Sequence, residues 1–328
     1  MAADFETTTT AKAVGLLDMA ARRPRRANGL RVSWHDTWDD DVAAAVAALP
    51  APEPYGRETF EFLARQPADS TQRIVIVSER DEPIACLALS RADSLAWEPV
   101  THSLVAGQPF PIRDRADFTR VCRAVDVELH VMLWDGGIEP DDIVADEIDI
   151  DPTFRATHEE LEAHWSKKHR RTIKQARSRS GDFVVEINEP DAARWILDHL
   201  YDRWDLPRTT FDRRVASLVH LLERDAAQLI RLFDGDRPVG GHASIIMNDT
   251  LYLLEIYRDA DYGWHGVGNR LIDVAIERGA SLGLRYFDLS TGFGDYKRKW
   301  APEAGSHAVA TFRPRRHRVA RACLAVLG

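Results

Sequence analysis

The sequence predicts an α/β (α+β) protein of two lobes, each a mixed sheet flanked by helices. Its 328 residues exceed the size at which one hydrophobic core usually keeps growing. Helix-period segments alternate with short β-branched runs along the chain. A hairpin pattern also occurs twice: QRIVIVSERDEPIACLA at Gln72–Ala88 and QLIRLFDGDRPVGGHA at Gln228–Ala243, each reading strand, charged turn, proline, strand. Such a pair is what duplication of a lobe leaves behind. The expected division is a flexible tail at 1–30, a first lobe at 31–155 and a second lobe at 156–328.

The tail is low in complexity at Thr7–Thr10 and basic at Arg22–Arg26, as in a disordered arm. Val42–Leu49 and Arg57–Arg65 read as short helices. Arg73–Val77 and Pro83–Leu89 are strands about the turn Ser78–Glu82. Val127–Trp134 is a further strand, closed by Asp135-Gly136-Gly137. Ile143–Ile150 alternates apolar and acidic residues, and Asp151-Pro152 is expected to end it. A long helix is predicted over His158–Ser178, with Leu161, Trp165, Ile173 and Ala176 on one face. Asp191–Trp204 and Arg213–Arg224 are helical. Gln228–Phe233 and Val239–Met247 make the second hairpin, and Asn248-Asp249 turns the chain into the strand Thr250–Tyr257. After a glycine-rich loop, Gly268–Leu282 is a helix stopped by Gly283. Arg285–Leu289 and Ala308–Phe312 are the last strands.

A net charge of −9 argues against a chain built to coat nucleic acid, so no DNA partner is expected. Cys86, Cys122 and Cys323 are too far apart for zinc spacing and read as reduced thiols. No signal-peptide pattern and no membrane-length apolar run are evident, so the expected compartment is cytoplasmic. His158 and His164 stand in His-Glu-x-x-x-x-His rather than His-Glu-x-x-His, so no metal is predicted.

The most informative stretch is LYLLEIYRDADYGWHGVGNRLIDVAIERGASLGLRYFDLSTGFGDYKRKW. Here a strand leads through Gly263-x-x-Gly266-x-Gly268 directly into a helix. Backbone N–H groups at such a helix start suit a pyrophosphate. A plain loop-to-helix junction is the alternative. Glu255, mid-strand among Leu253, Leu254 and Ile256, reads either as a desolvated base or as a solvent-facing carboxylate. His242, after Gly240-Gly241, reads as a second base, a proton relay or a core histidine. The helix carrying Lys167, Lys168, Arg170, Arg171, Lys174, Arg177 and Arg179 has no acidic residue between Ser166 and Gly181. It reads as an anion-facing surface or as a solvated face.

The order hairpin, strand, glycine loop, helix, strand resembles the GNAT acyltransferase superfamily, with Gly266 and Gly268 matching its loop and Gly263 replacing the usual Gln or Arg. A closer resemblance is to the two-lobed CelD/BcsL-like branch, related in fold to Fem-type peptidyltransferases. Two signatures carry it: the basic helix HWSKKHRRTIKQARSRSGDF, and Asp288, Gly292, Tyr296, Lys297 and Trp300 in the closing motif. The resemblance implies tandem GNAT-like lobes, with the second lobe binding acyl-CoA as co-substrate. It implies N-acyl transfer, less readily O-acyl transfer, in a ternary complex with a small-molecule, lipid or saccharide amine. Lys297, Glu255, Tyr296, His242 and Asp288 would be catalytic, with Lys297 stabilising the tetrahedral intermediate and Tyr296 protonating the leaving sulfur. Tyr257, Gly266, Val267, Gly268, Asn269 and Arg270 would bind the cofactor. Arg171, Lys174, Trp204 and Asp295 would bind the acceptor. The first lobe, with the single Gly107 after its hairpin, would shape the acceptor cleft. The alternatives are an aminoacyl-tRNA-dependent transferase of the Fem type and a non-catalytic binding module. The tail Arg313–Gly328 alternates basic and apolar residues, fitting either a helix on the body or peripheral membrane contact. A monomer or homodimer is expected.

Overall fold

The computed structural model describes residues 25–27, 29–52, 55–66, 72–91, 96–100, 109–133, 143–205, 208, 211–291, 295–314 and 317. Along the chain come β1 (Arg25–Ala27), β2 (Leu30–His35), α1 (Asp40–Ala48), α2 (Gly56–Arg65), β3 (Gln72–Glu79), β4 (Glu82–Arg91), β5 (Ala96–Pro99), α3 (Phe118–Val125) and β6 (Glu128–Leu133). Next are β7 (Glu147–Thr157), α4 (His158–His164), α5 (Lys167–Arg179), β8 (Val184–Ile187), α6 (Asp191–Trp204) and α7 (Phe211–Leu222). The chain ends with β9 (Ala227–Asp234), β10 (Arg237–Met247), β11 (Thr250–Arg258), α8 (Val267–Ser281), β12 (Tyr286–Thr291), α9 (Lys297–Trp300) and β13 (Glu303–Phe312). Among the described residues no helix is long and apolar enough to cross a membrane.

The chain forms two compact units. The first comprises residues 1–150 and 308–328, and the second residues 151–307. In the first, the strand order is β1-β2-β3-β4-β5-β6-β13; in the second it is β8-β9-β10-β11-β12-β7. Both sheets are mixed: β5 runs parallel to β6, β11 runs parallel to β12, and the other neighbours are antiparallel. The expected boundary at 155/156 thus moves to Ile150, and the chain from Ala308 onward belongs with the first unit. The reason is ladder pairing, because Ala308–Phe312 runs antiparallel to Leu129–Leu133.

The two units repeat one plan: a strand, two helices, a hairpin, a third strand, a helix and a parallel strand. The hairpins even share a defect. Val77 pairs Ala85 while Ser78 pairs Pro83, so Ile84 is an extra residue, and Val239 is likewise extra between Pro238 and Gly240. In both hairpins the bulge follows a proline, which brings no N–H to the ladder.

Several elements depart from expectation. The predicted helix over His158–Ser178 is two helices. Thr157 and Glu160 form a capping box for α4, and Ser166 starts a new helix by accepting from the His169 N–H at 3.1 Å. Strand β7 does not stop at Asp151-Pro152 but continues to Thr157, because its pairing with β12 begins only at Thr153, past the proline. Strands β2, β5 and β8 carry no sequence expectation. Part of the expected tail, Arg25–Ala27, pairs with Leu30–Val32. The rest of that tail, Gly107, Gly292, Cys323 and the chain from 318 on lie outside the described residues.

In the second unit, Leu251, Leu271, Ala275, Phe287 and Trp300 form the centre of the core, each with no exposed surface. Consecutive glycines on β10 seat a helix on each sheet face, since successive strand residues point to opposite sides. A Cβ at Gly240 would lie 2.4 Å from Val267 Cγ1 of α8, and one at Gly241 would lie 2.5 Å from Ile196 Cγ1 of α6. Gly240→Ala is therefore expected to destabilise the protein by about 1–3 kcal/mol, the range for overpacking a close contact. Chemical denaturation of the variant against the unaltered protein measures this.

Candidate active site

Strand β11 departs from its parallel neighbour after a short pairing. Only Thr250–Tyr252 pair with Tyr286–Asp288, whereas β11 runs on to Arg258 against β10. Across β10 the register slips, with Ala243 opposite Glu255 and Ser244 opposite Leu253, leaving Leu254 as the bulged residue. A bulge releases a backbone group from the ladder and re-aims side chains. Beside it opens a cleft of about 590 Å³, lined by Leu254, Glu255, Ile256 and Arg258 from β11, and by Leu200 and Arg203 from α6. Gly263, Gly266, Val267, Gly268, Asn269, Ile272 and Tyr296 complete the lining.

The floor at α8 is an anion-type surface. Residues Ala260–His265 form a tight 3-10 turn capped by Asp259, whose carboxylate accepts from the Asp261 N–H at 3.0 Å. Gly266 then takes φ = +73°, and no side chain caps the start of α8. The conformation and the space both favour glycine there, since a Cβ would lie 2.9 Å from Ala176 Cβ of α5. The N–H groups of the first helical turn carry partial positive charge and have no intrahelical partners. Arg203 and Arg258 add two cationic side chains to the same cleft.

Of the residues assigned to the cofactor from sequence, Gly266, Val267, Gly268 and Asn269 line the cleft; Tyr257 and Arg270 do not. Tyr257 packs against α6 instead, with ring centroids 4.6 Å from His199 and 5.4 Å from Trp195. Arg270 bonds Asp273 at 2.7 Å. The acceptor assignments fare less well. Arg171 and Lys174 are exposed on α5, and Asp295 is exposed in the turn before α9; none of the three lines the cleft, although Asp295 adjoins the lining residue Tyr296. The Trp204 side chain lies outside the described ones. Sequence reasoning missed Leu200, Arg203 and Arg258. The i, i+3 spacing of Leu200 and Arg203 on one helix face was the available signal.

Glu255 does line the cleft, but not as an isolated carboxylate. Arg214 of α7 binds it directly, and the half-buried Arg214 also hydrogen-bonds Tyr201. His242 is in the core. It is 1% exposed, bonds Ser244 Oγ through Nδ1 at 3.1 Å, and burial lowers its pKa to about 3. At neutral pH it is therefore uncharged, and it does not line the cleft.

Tyr296 lines the cleft, and burial raises its phenol above the ordinary value. The neighbouring Lys297 is 8% exposed and is not part of the lining. Desolvation lowers its pKa, against the pull of Asp288 and Asp151, which favour the ammonium. Asp288 is itself buried and accepts from the Ser290 N–H at 2.7 Å. What fixes this turn is Trp300. Its ring packs edge-on against His169 at 4.8 Å and Trp165 at 5.3 Å, while Trp165 Nε1 donates to the Trp300 carbonyl at 2.9 Å. The two sequence signatures, basic helix and closing motif, are thus two halves of one contact.

The basic helix is less free than its composition suggests. Arg177 makes a bidentate pair with the buried Asp273 at 2.9 and 2.6 Å, Arg170 donates to the Trp165 and Glu162 carbonyls, and Arg179 donates to the Trp264 carbonyl. Lys167, Lys168, Arg171 and Lys174 remain as its exposed cations. Among the described residues no three His, Cys, Asp or Glu side chains gather as a metal site.

Residues 165–298 match a family model described as an acetyltransferase (GNAT) domain. The chain resembles the structure of L-PGS from Bacillus licheniformis (TM-score 0.52, 11% identity, 88% of this chain and 95% of that one). It also resembles a conserved protein of unknown function from Bacteroides thetaiotaomicron VPI-5482 (TM-score 0.50, 12% identity, 86% of this chain and 100% of that one). At these identities the likeness is one of fold, and it spans both units. No curated protein matches the sequence.

Burial of His242 has a measurable consequence. Its folded-state pKa of about 3 lies below the ordinary 6.5, so between those values the unfolded chain binds the extra proton. Its contribution is complete above pH 6.5 and is lost as pH falls, by up to about 1.4 kcal/mol per pH unit. His169, lowered to about 4 chiefly by burial, acts in the same direction. Urea unfolding between pH 7 and 4.5 should show this slope, and His242→Asn should reduce it by about one proton.

Proposed function

We propose that the GNAT domain at residues 165–298 makes this chain an acyl-CoA-dependent N-acyltransferase, passing the acyl group to an amine by direct attack in a ternary complex. One observation carries the reading: the divergence of β11 from β12, the Leu254 bulge and the uncapped start of α8 all meet in one cleft. A thioester needs an oxyanion donor at one end of its arm, and a pyrophosphate needs N–H groups and cations at the other. The bulge supplies the first and the α8 start, with Arg203 and Arg258, the second.

In this reading the acceptor nitrogen attacks the thioester carbonyl beside the bulge, the carbon–sulfur bond breaks, and Tyr296 gives the leaving thiolate its proton. The raised phenol pKa keeps that proton on Tyr296 at neutral pH. Glu255, its carboxylate oriented by Arg214, takes the proton that the acceptor nitrogen loses, and that proton returns to Tyr296 through solvent after the thiol leaves. Lys297 acts from beneath the lining, as a positive charge held between Tyr296 and Asp288. The acceptor is a small-molecule, lipid or saccharide amine, and the site of action is cytoplasmic.

Calorimetric titration and thermal shift with CoA and an acyl-CoA chain-length series test the donor. A rise in melting temperature that varies with chain length is expected, and no response to any member would overturn the reading. Gly268→Asp, which places a carboxylate where the pyrophosphate binds, should weaken CoA at least tenfold while leaving the helix folded, since acidic residues suit a first turn. Lys297→Ala should lower turnover about 100- to 1000-fold with circular dichroism unchanged. Loss of the folded signal would instead recast Lys297 as structural.

A further inference from the structure

A second binding surface stands at the rim of the cleft. Trp264 is 68% exposed, unusual for the largest side chain, and lies between two lining residues, Gly263 and Gly266. It is not a floppy side chain on a loose loop. The Arg179 guanidinium lies 3.4 Å from the centroid of its ring and donates to its carbonyl at 3.0 Å. The turn beneath it is pinned by rings, with Tyr262 at 5.2 Å from His265 and Phe183 at 5.6 Å from His265. Tyr262 also donates to Asp234 at 2.9 Å. Such an arrangement fixes the indole in place, with one face against a cation and most of the side chain still exposed.

We propose that Trp264 and Arg179 form the platform for the nucleotide end of the donor, the base stacking on the indole and the guanidinium facing its phosphates. The inference rests on the acyl-CoA reading above and extends it. Direction supports it. From the Leu254 bulge to Arg258 the strand covers about 13 Å, at ~3.3 Å per residue. A ligand with its thioester at the bulge therefore reaches the α8 start with its diphosphate. The nucleoside beyond that diphosphate must leave the cleft past the turn that carries Trp264. A purine there meets an indole face, and a base on an aromatic ring is held whatever its hydrogen-bonding pattern. The cation on the same ring adds attraction for the flanking phosphates and makes binding sensitive to salt.

The test compares two probes that differ only in the nucleotide. CoA and 4′-phosphopantetheine are titrated calorimetrically into the full chain and into Trp264→Ala, Trp264→Phe and Arg179→Ala. Trp264→Ala is expected to weaken CoA by about 5- to 150-fold, the range for loss of one stacked base. Phosphopantetheine should bind it as it binds the unaltered chain, and Trp264→Phe should recover part of the CoA affinity. Arg179→Ala should likewise weaken CoA alone. Equal binding of CoA to the unaltered chain and to Trp264→Ala overturns the platform while leaving the donor reading intact. Equal losses for both probes also overturn it, because the indole would then be supporting the cleft. Failure of the unaltered chain to bind either probe overturns both readings together.

Discussion

The packing of Trp300 on His169 and Trp165 is the contact on which the Tyr296 side of the cleft depends. Helix α9 is four residues long, too short to hold its own shape. Its position comes from the fully buried indole, the Trp165 bond to the Trp300 carbonyl, and the His164 bond to the Arg298 carbonyl at 2.8 Å. Tyr296 and Lys297 are placed by that anchor. The other end of the same helix α5 abuts Gly266 through Ala176 and grips α8 through Arg177 and Asp273. One helix therefore braces both the turn that carries Tyr296 and the turn that starts α8.

Electrostatics divide along the same line. Cations that sequence composition assigned to a ligand are in part internal fasteners, and Arg177 is the clearest because its partner Asp273 is 2% exposed. A buried carboxylate needs such partners, and here it has two, Arg177 and Arg270. The cations at the cleft, Arg203 and Arg258, sit instead on elements whose local sequence looks ordinary. Glu255 shows the converse, a carboxylate whose environment is set by a guanidinium 41 residues away in the chain.

Local pattern made much of the fold legible. The hairpins were readable because β-branched runs flank charged turns, and α8 was readable from its apolar period and from Gly283. The lining residues Gly266, Val267, Gly268 and Asn269 were legible for the same reason, since a helix start announces itself. The break at Trp165–Ser166 was not, because Ser166 caps a helix only once Trp165 is drawn onto Trp300, a contact 135 residues apart. The Leu254 bulge had no signal at all: Thr250–Arg258 contains neither glycine nor proline, and the slip is fixed by pairing with β10. The core reading of His242, one of the alternatives its sequence allowed, is decided by tertiary structure for a related reason. Its sequence neighbours suggested a site, whereas its burial, which decides its charge, is a property of the packed sheet.

The pairing of β13 with β6 sets an order on biosynthesis. The first sheet takes its final strand from Ala308–Phe312, which leaves the ribosome only after every residue of the second unit. Until then the far edge of β6 is an open ladder, and open edges recruit other strands. The nascent first unit must therefore wait with an unsatisfied edge while the whole second unit is made. Its sheet is completed only after the second unit has been made, although most of its residues precede that unit in the chain.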